Sequence, residues 1–512
     1  MDSFIVSRGR MQRAITILCW LLVIATGAFL RFDDLSSRPF HADEATGARI
    51  TAKRMEKEGG TFDPKHYHGP LLADLAIPIC RMQGETGWRD MSKGSLRTGT
   101  AVAGCLLLLV PLFWRRRLGD APVLLAAALM ATSPLLIYYS RMFIHEMWLV
   151  LFGMMTLVLL TKRPVAGLTG LMMALMFATK ESFAISIIAW AAAGALLALE
   201  NRKLLTRENW TSGWQEHRKA IGISFAVAAL VSLLFYTHGL RHPQGAVDAI
   251  RTYFVYETVE GHDKPFWYYL HLFAVPFKSG GVWWFGTPVV MLALAAYAFT
   301  FLPSGSQGKK TIRFIAYASV FHVVIYSLIA YKTPWLACLP WAHVCMLAGC
   351  ALWNISKRPV VIRILISAIA LAALFTQFQQ SRRAIGRYAS DERNPFAYVP
   401  TRRDAEALET WLGQLRANAG SDILEPIAVV GSDYWPLPWY LRQFEQIGYW
   451  QSAAPEISGL PLVFTMPETT AGVAELLKDS HMPLPRGLRT GVPLHVFVRN
   501  DVWKQWMEAG AK

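Results

Sequence analysis

Residues 98–161 read TGTAVAGCLLLLVPLFWRRRLGDAPVLLAAALMATSPLLIYYSRMFIHEMWLVLFGMMTLVLLT. Three apolar runs, near 98–114, 120–139 and 146–161, are parted first by Arg115-Arg116-Arg117 and then by the polar turn at 140–145. Runs of this length suit helices that cross a hydrocarbon core about 30 Å thick. The pattern continues outward on both sides, at 13–31, 164–179, 182–199, 220–237, 284–302, 312–330, 336–354 and 360–378. The chain therefore reads as an α-helical polytopic membrane protein with about eleven transmembrane helices. The first run follows Arg8, Arg10 and Arg13, is long, and lacks a small-residue cleavage site. It reads as an uncleaved anchor rather than a signal peptide.

Composition agrees. Of 512 residues, 53% are hydrophobic and only 17% charged, against about 25% charged in ordinary soluble domains. Collagen, intrinsic disorder and a small disulfide scaffold are excluded. The net charge of +15 does not point to nucleic acid, because the basic residues sit in short clusters between apolar runs, as cytoplasmic loops do. Cys19, Cys105, Cys338, Cys345 and Cys350 lie within apolar runs and Cys80 ends a shorter one, so all six read as buried and reduced.

With the N-terminus inside, every second loop is basic: Arg115–Arg117, Lys162-Arg163, Arg202-Lys203 with Arg218-Lys219, Lys309-Lys310 and Lys357-Arg358. The opposite, extracytoplasmic face receives 32–97, 140–145, 180–181, 238–283, 331–335 and everything after 379. The tail changes character. Residues 402–417 place Ala405, Leu408, Trp411, Leu412 and Leu415 on one helical face. Short apolar runs at Ile427–Val430, Leu462–Phe464 and Leu494–Val498, with a helical stretch near 470–479, read as a small α/β soluble domain. The expected division is thus 1–378 in the membrane and 379–512 outside it. No GxGxxG fingerprint, P-loop or internal repeat occurs.

The outer loops carry the chemistry-bearing residues. Adjacent Asp43 and Glu44 follow the first span and offer a general base or a metal ligand. His66 and His68, ahead of Gly69-Pro70, are a possible metal pair or interfacial anchors. Arg141, His145 and Glu146 stand at a span mouth; Arg141 and His145 fit either a phosphate site or snorkelling anchors. His262-Asp263-Lys264 precede the aromatic run Phe266-Trp267-Tyr268-Tyr269, which suits an interfacial belt. Lys332 ends a span within Tyr331-Lys332-Thr333-Pro334-Trp335. Trp435, Trp439 and Tyr440 suit either sugar stacking or a sheet core.

Together these loops resemble the GT-C superfamily of lipid-linked-sugar glycosyltransferases, which includes protein O-mannosyltransferases and aminoarabinose lipid A transferases. Within it they resemble most the archaeal-type flippase activity-associated family. The resembling residues are His41-Ala42-Asp43-Glu44, Tyr67-His68-Gly69-Pro70-Leu71, Ser140-Arg141-Met142 with Glu146, Gly261–Tyr269, Tyr331–Trp335 and Asp391-Glu392-Arg393-Asn394-Pro395. The resemblance runs from about residue 10 to 400.

It implies a GT-C-like catalytic module in a bacterial inner or plasma membrane. Asp43 would be the base that activates an acceptor hydroxyl or amine, with Glu44 and Glu146 as further catalytic carboxylates. Arg141, His145, Lys264, Lys332, Trp267 and Tyr268 would bind substrate, Lys332 by neutralising the donor phosphate. The metal positions of the aminoarabinose transferases fall on His68 and His262; the family has glutamate at the first, and histidine is itself a competent zinc ligand. A divalent metal (zinc, magnesium or manganese) is the implied cofactor. The implied partners are a polyprenyl-phosphate-linked sugar, membrane lipid, and a protein, glycan or lipid acceptor. The alternative is a flippase of lipid-linked saccharides, which would carry ionisable residues along the middle of its spans. An enzymatically silent scaffold leaves Asp43-Glu44 and the histidines unexplained.

Overall fold

A computed structural model describes residues 2–56, 62–162, 165–200, 206–255, 262–303, 306–419 and 421–510. Arg163, Arg202, Lys203 and residues 256–261, all assigned to loops from sequence, lie outside the described residues. The chain forms two compact units: Met1–Leu35, Gly59–Ile79 and Gly94–Gly386 make the first, and Ser36–Glu58, Cys80–Lys93 and Arg387–Lys512 the second.

The first unit is helical. Among the described residues, seven helices are long and apolar enough to cross a membrane: Met11–Phe32, Lys93–Leu118, Phe183–Glu200, Thr211–Tyr236, Gly308–Leu328, Pro334–Leu352 and Val360–Ile385. An eighth span is the pair Asp120–Thr132 and Pro134–Ser140, bent by 59°. The bend has a local cause. Pro134 has no N–H to continue the ladder and suits the first position of a new helix, while Ser133 caps that helix by accepting from the Leu136 N–H. The remaining apolar runs form the shorter helices Glu146–Thr161, Ala166–Thr179 and Thr287–Phe299. At 16, 14 and 13 residues, each falls short of the roughly 20 needed for a full crossing.

Small residues bring these helices together. A Cβ on Gly170 would lie 2.2 Å from the Ser224 carbonyl oxygen, so Ala166–Thr179 and Arg207–Tyr236 meet backbone to backbone. Ile15, Leu18, Phe225, Leu371 and Phe375 stay exposed, as side chains facing lipid would. A hairpin of β1 (Phe277–Ser279) and β2 (Val282–Trp284) precedes Thr287–Phe299.

The second unit is built on a five-stranded sheet in the order β4-β3-β5-β7-β6. Its strands are β3 (Ile427–Val430), β4 (Ile447–Trp450), β5 (Leu462–Thr465), β6 (His481–Arg489) and β7 (Val492–Arg499). β3 pairs in parallel with β4 and β5; β7 runs antiparallel to β5 and β6. Every residue of β3 and β5 is buried, which is why both read as unbroken apolar runs without alternation. Ala428, Val430, Val463 and Phe497 meet Val473 and Leu477 of helix Thr470–Leu477 in one core cluster. On helix Arg403–Ala419 the expected stripe of Ala405, Leu408, Trp411, Leu412 and Leu415 is buried.

The N-terminal segment 36–58 is part of this unit. The Phe40 ring packs on Trp439 at 4.1 Å, its N–H donates to the Tyr440 hydroxyl, and its carbonyl accepts from Thr401. Trp439 and Tyr440 are thus core residues. Lys93 pairs with Glu406 at 2.7 Å.

Candidate active site

Glu146 is the first residue of helix Glu146–Thr161, and Lys180 follows the end of Ala166–Thr179. Their side chains meet at 2.7 Å, both almost wholly buried. Each sits where a helix dipole favours it, the carboxylate at an N-terminus and the ammonium at a C-terminus. Removing Lys180 would leave the Glu146 carboxylate buried without this counter-charge, which is far costlier than losing the pair together.

Glu181 continues the cluster. Its carboxylate meets His68 Nδ1 at 3.0 Å, and its carbonyl accepts from the Tyr253 hydroxyl. Burial alone would raise the Glu181 pKa, but the His68 and Lys180 charges and the His68 hydrogen bond bring it down to about 2. The His68 ring meets His145 edge-on at 5.1 Å. Burial, and then the positive charges of His68 and Lys180, hold His145 well below the usual imidazole range. Gly69 makes the approach possible, since a Cβ there would lie 2.2 Å from the Ala178 carbonyl oxygen. Glu146, Ser182, Tyr326, Trp335 and Cys338 line a small cavity beside this cluster.

Beyond Trp335 lies the Lys332 loop. Residues 262–264 and 330–332 run antiparallel: Lys264 N–H donates to the Ala330 carbonyl, and Lys332 N–H to that of His262. The His262 ring packs against Tyr331 at 5.0 Å. The Lys332 ammonium is buried and donates to the carbonyls of Lys264 and Ile329. Among the described residues no carboxylate pairs with it. Tyr269 locks the loop by donating to the Thr333 carbonyl. Tyr268 is half-buried and Trp267 is 64% exposed.

Asp43 and Glu44 belong to the second unit and have different tasks. Glu44 is fully buried; its carboxylate accepts from the His41 N–H and lies 3.7 Å from Arg38. In return His41 Nδ1 accepts from the Asp43 N–H, which completes a capping box at the start of helix Ala42–Met55. The Asp43 side chain is about half exposed; burial, and then the Asp43 charge, raise the Tyr398 hydroxyl pKa.

No family model and no curated protein matches the chain. Among solved structures it is similar to ArnT from Cupriavidus metallidurans in the apo state, with a TM-score of 0.63 and 14% identity. That likeness covers 93% of this chain and 97% of the other. ArnT bound to undecaprenyl phosphate gives a TM-score of 0.61 at the same identity and coverage. The archaeal oligosaccharyltransferase AglB from Archaeoglobus fulgidus, in complex with an inhibitory peptide and a dolichol-phosphate, gives 0.55 at 14% identity, over 93% of this chain and 73% of that one. The chain has the GT-C fold.

Within this GT-C fold the first unit gathers His68, His145 and Glu146 in one cluster, and His262, Lys264 and Lys332 in an adjoining loop. Arg141 is used elsewhere. Its guanidinium donates to the carbonyls of Leu30, Arg31 and Asp34, satisfying the end of the first span. The Asp391–Pro395 motif is a turn, with Asp391 on Arg393 and Asn394 bridging Tyr388 and Phe396.

Among the described residues no three His, Cys, Asp or Glu side chains converge as a metal requires. His68 faces Glu181 and His262 packs on Tyr331 instead.

Lys180 and Glu181 were missed as site residues from sequence, where they read only as a span-connecting turn. Their signal is a charged pair interrupting an apolar stretch that otherwise runs from 164 to 199. Tyr253 and Tyr326 carry no comparable signal.

Proposed function

We propose that this chain is a glycosyltransferase of the GT-C type, moving a sugar from a polyprenyl-phosphate donor to an acceptor on the extracytoplasmic face of the membrane. The observation that carries this reading is Lys332. It is a buried ammonium held by two backbone carbonyls. An ammonium has three donors, so one remains for an anion. A polyprenyl phosphate keeps its tail in lipid and so presents its phosphate at such a depth. The GT-C fold supports the choice, since ArnT has been crystallised with undecaprenyl phosphate.

In the reaction, the Asp43 carboxylate takes the proton from an acceptor hydroxyl or amine. The freed electron pair forms the bond to the anomeric carbon, and the bond from that carbon to the phosphate oxygen breaks. The leaving polyprenyl phosphate departs with that electron pair and one more negative charge, which Lys332 and Lys264 stabilise. Attack opposite the leaving phosphate gives inversion. Asp43 is the better base of the first-loop pair because Glu44 is committed to the cap and Arg38. Glu146 with Lys180, and Glu181 with His68, are buried charged pairs of the first unit.

An Archaeoglobus fulgidus oligosaccharyltransferase is crystallised with zinc and sulfate. The donors described here do not form such a set, so the positive charge in this reading comes from lysines. The acceptor class, whether protein, glycan or lipid, stays open.

The test is transfer of label from the polyprenyl-phospho-sugars of purified membranes, comparing wild type with Asp43→Ala at equal expression and fold. Label moved by wild type alone, with polyprenyl phosphate released, supports the reading. Equal transfer by both removes Asp43 from the mechanism. No transfer by either, with translocation of the lipid-linked sugar intact, favours a flippase.

A further inference from the structure

Three spans that line the cavity carry polar side chains farther into the membrane interior. One helical turn inward from Tyr326 is His322, and one turn inward from Leu339 is His343. From Ser182, successive turns bring Ser186 and then Trp190. Four residues of helix are about 6 Å, so the group lies one to two turns beneath the cavity floor. The rings form a triangle: His322 to His343 is 4.9 Å, Trp190 to His322 is 5.9 Å, and Trp190 to His343 is 6.2 Å.

All four side chains are buried, with His322 and His343 at 0% exposure. His322 Nδ1 bonds to the Ala318 carbonyl, which leaves Nε2 as an acceptor. That nitrogen, both nitrogens of His343, the Trp190 Nε1–H and the Ser186 hydroxyl have no hydrogen-bond partner. Ser182 Oγ, at the cavity, is in the same condition. Orphaned polar atoms inside a protein are rare, and a cluster of them with balanced donors and acceptors has the character of a site for ordered water. An apolar packing role would be served better by phenylalanine or leucine, which carry no polar atoms to desolvate.

We propose that Trp190, Ser186, His322 and His343 form an internal binding site for ordered water that extends the cavity, through Ser182, into the membrane interior. This site is additional to the transferase reading and does not depend on it. It gives the cavity a hydrated floor beneath Glu146 and Lys180.

The test is radiolytic hydroxyl-radical labelling of the full chain in lipid nanodiscs made up in oxygen-18 water, read by mass spectrometry. Trp190 and His343 are expected to take up label despite their burial. Trp114, equally buried but with its indole N–H bonded to Thr161, is expected to take up none. His343→Phe removes two orphan atoms and should bring Trp190 down to the level of Trp114. His343→Gln keeps a donor and an acceptor and should preserve the label. Absence of label at both sites in wild type overturns the proposal, as does label at Trp190 undiminished in a folded His343→Phe. Stoichiometric bound metal in the purified protein, lost on His322→Leu, overturns it in favour of a cation site.

Discussion

In the proposed reaction Lys332 is the residue that meets the donor phosphate. Its charge is buried against carbonyl dipoles, which stabilise it without neutralising it. Lys332→Met is therefore expected to keep the fold and to lower initial transfer rates by about 100- to 1,000-fold, the range for removing a preorganised charge-stabilising donor. Lys332→Arg should recover only part of that, because a planar fork does not fit a cradle built for an ammonium. His145 makes a different prediction. Its folded pKa is depressed well below the ordinary 6.5 by burial and the neighbouring His68 and Lys180 charges. The unfolded chain then binds more protons than the folded one below pH 6.5. Stability due to neutral His145 is complete above that pH and is lost as pH falls beneath it. Thermal unfolding of His145→Gln should accordingly show a shallower loss on acidification than wild type; an equal slope would assign the acid sensitivity to other groups.

At the scale of elements, helix Ala42–Met55 separates two carboxylates that are adjacent in sequence. Glu44 holds the cap and Asp43 projects from it. Glu44→Ala should destabilise the protein by about 1–2 kcal/mol, the usual cost of a lost cap, and Glu44→Gln by much less because the amide oxygen still accepts from His41. Denaturation midpoints of the two variants check this, and transfer in Glu44→Gln should stay near wild type while Asp43→Asn is inactive. Residue type and position left the two equivalent as candidate bases, and only the family resemblance singled out Asp43. What distinguishes them is which one the helix start turns inward, and that follows from the contacts of His41 and Arg38 rather than from residue type.

Across the whole molecule, the second unit joins segments far apart in the chain. Phe40 depends on Trp439, Tyr440 and Thr401, and the His41 ring reaches the Tyr398 carbonyl. Deleting residues 387–512 removes every one of these partners while leaving Asp43 in the chain. The truncated protein is expected to reach the membrane, lose transfer, and become protease-sensitive within 36–58; resistance there would mean that the loop holds its form unaided. The C-terminal segment thus has a structural task toward the segment carrying Asp43, whatever it contributes to acceptor binding.

The amino-acid sequence by itself determined the membrane architecture and the α/β tail. Apolar run length and helical or unbroken apolar patterning are local properties, and a lipid or sheet environment accepts few alternatives to them. It also marked Glu146 and Lys332 as polar residues at span ends and His68 as a histidine of the first outer loop. Only the tertiary structure decided their partners. Lys180 and Glu181 became the counter-charges of Glu146 and His68, and Arg141 was taken up by the end of the first span. It also brought His322, His343 and Trp190 together from three separate spans. Such pairings join residues tens to hundreds of positions apart, so they depend on how the helices pack, which no local pattern records.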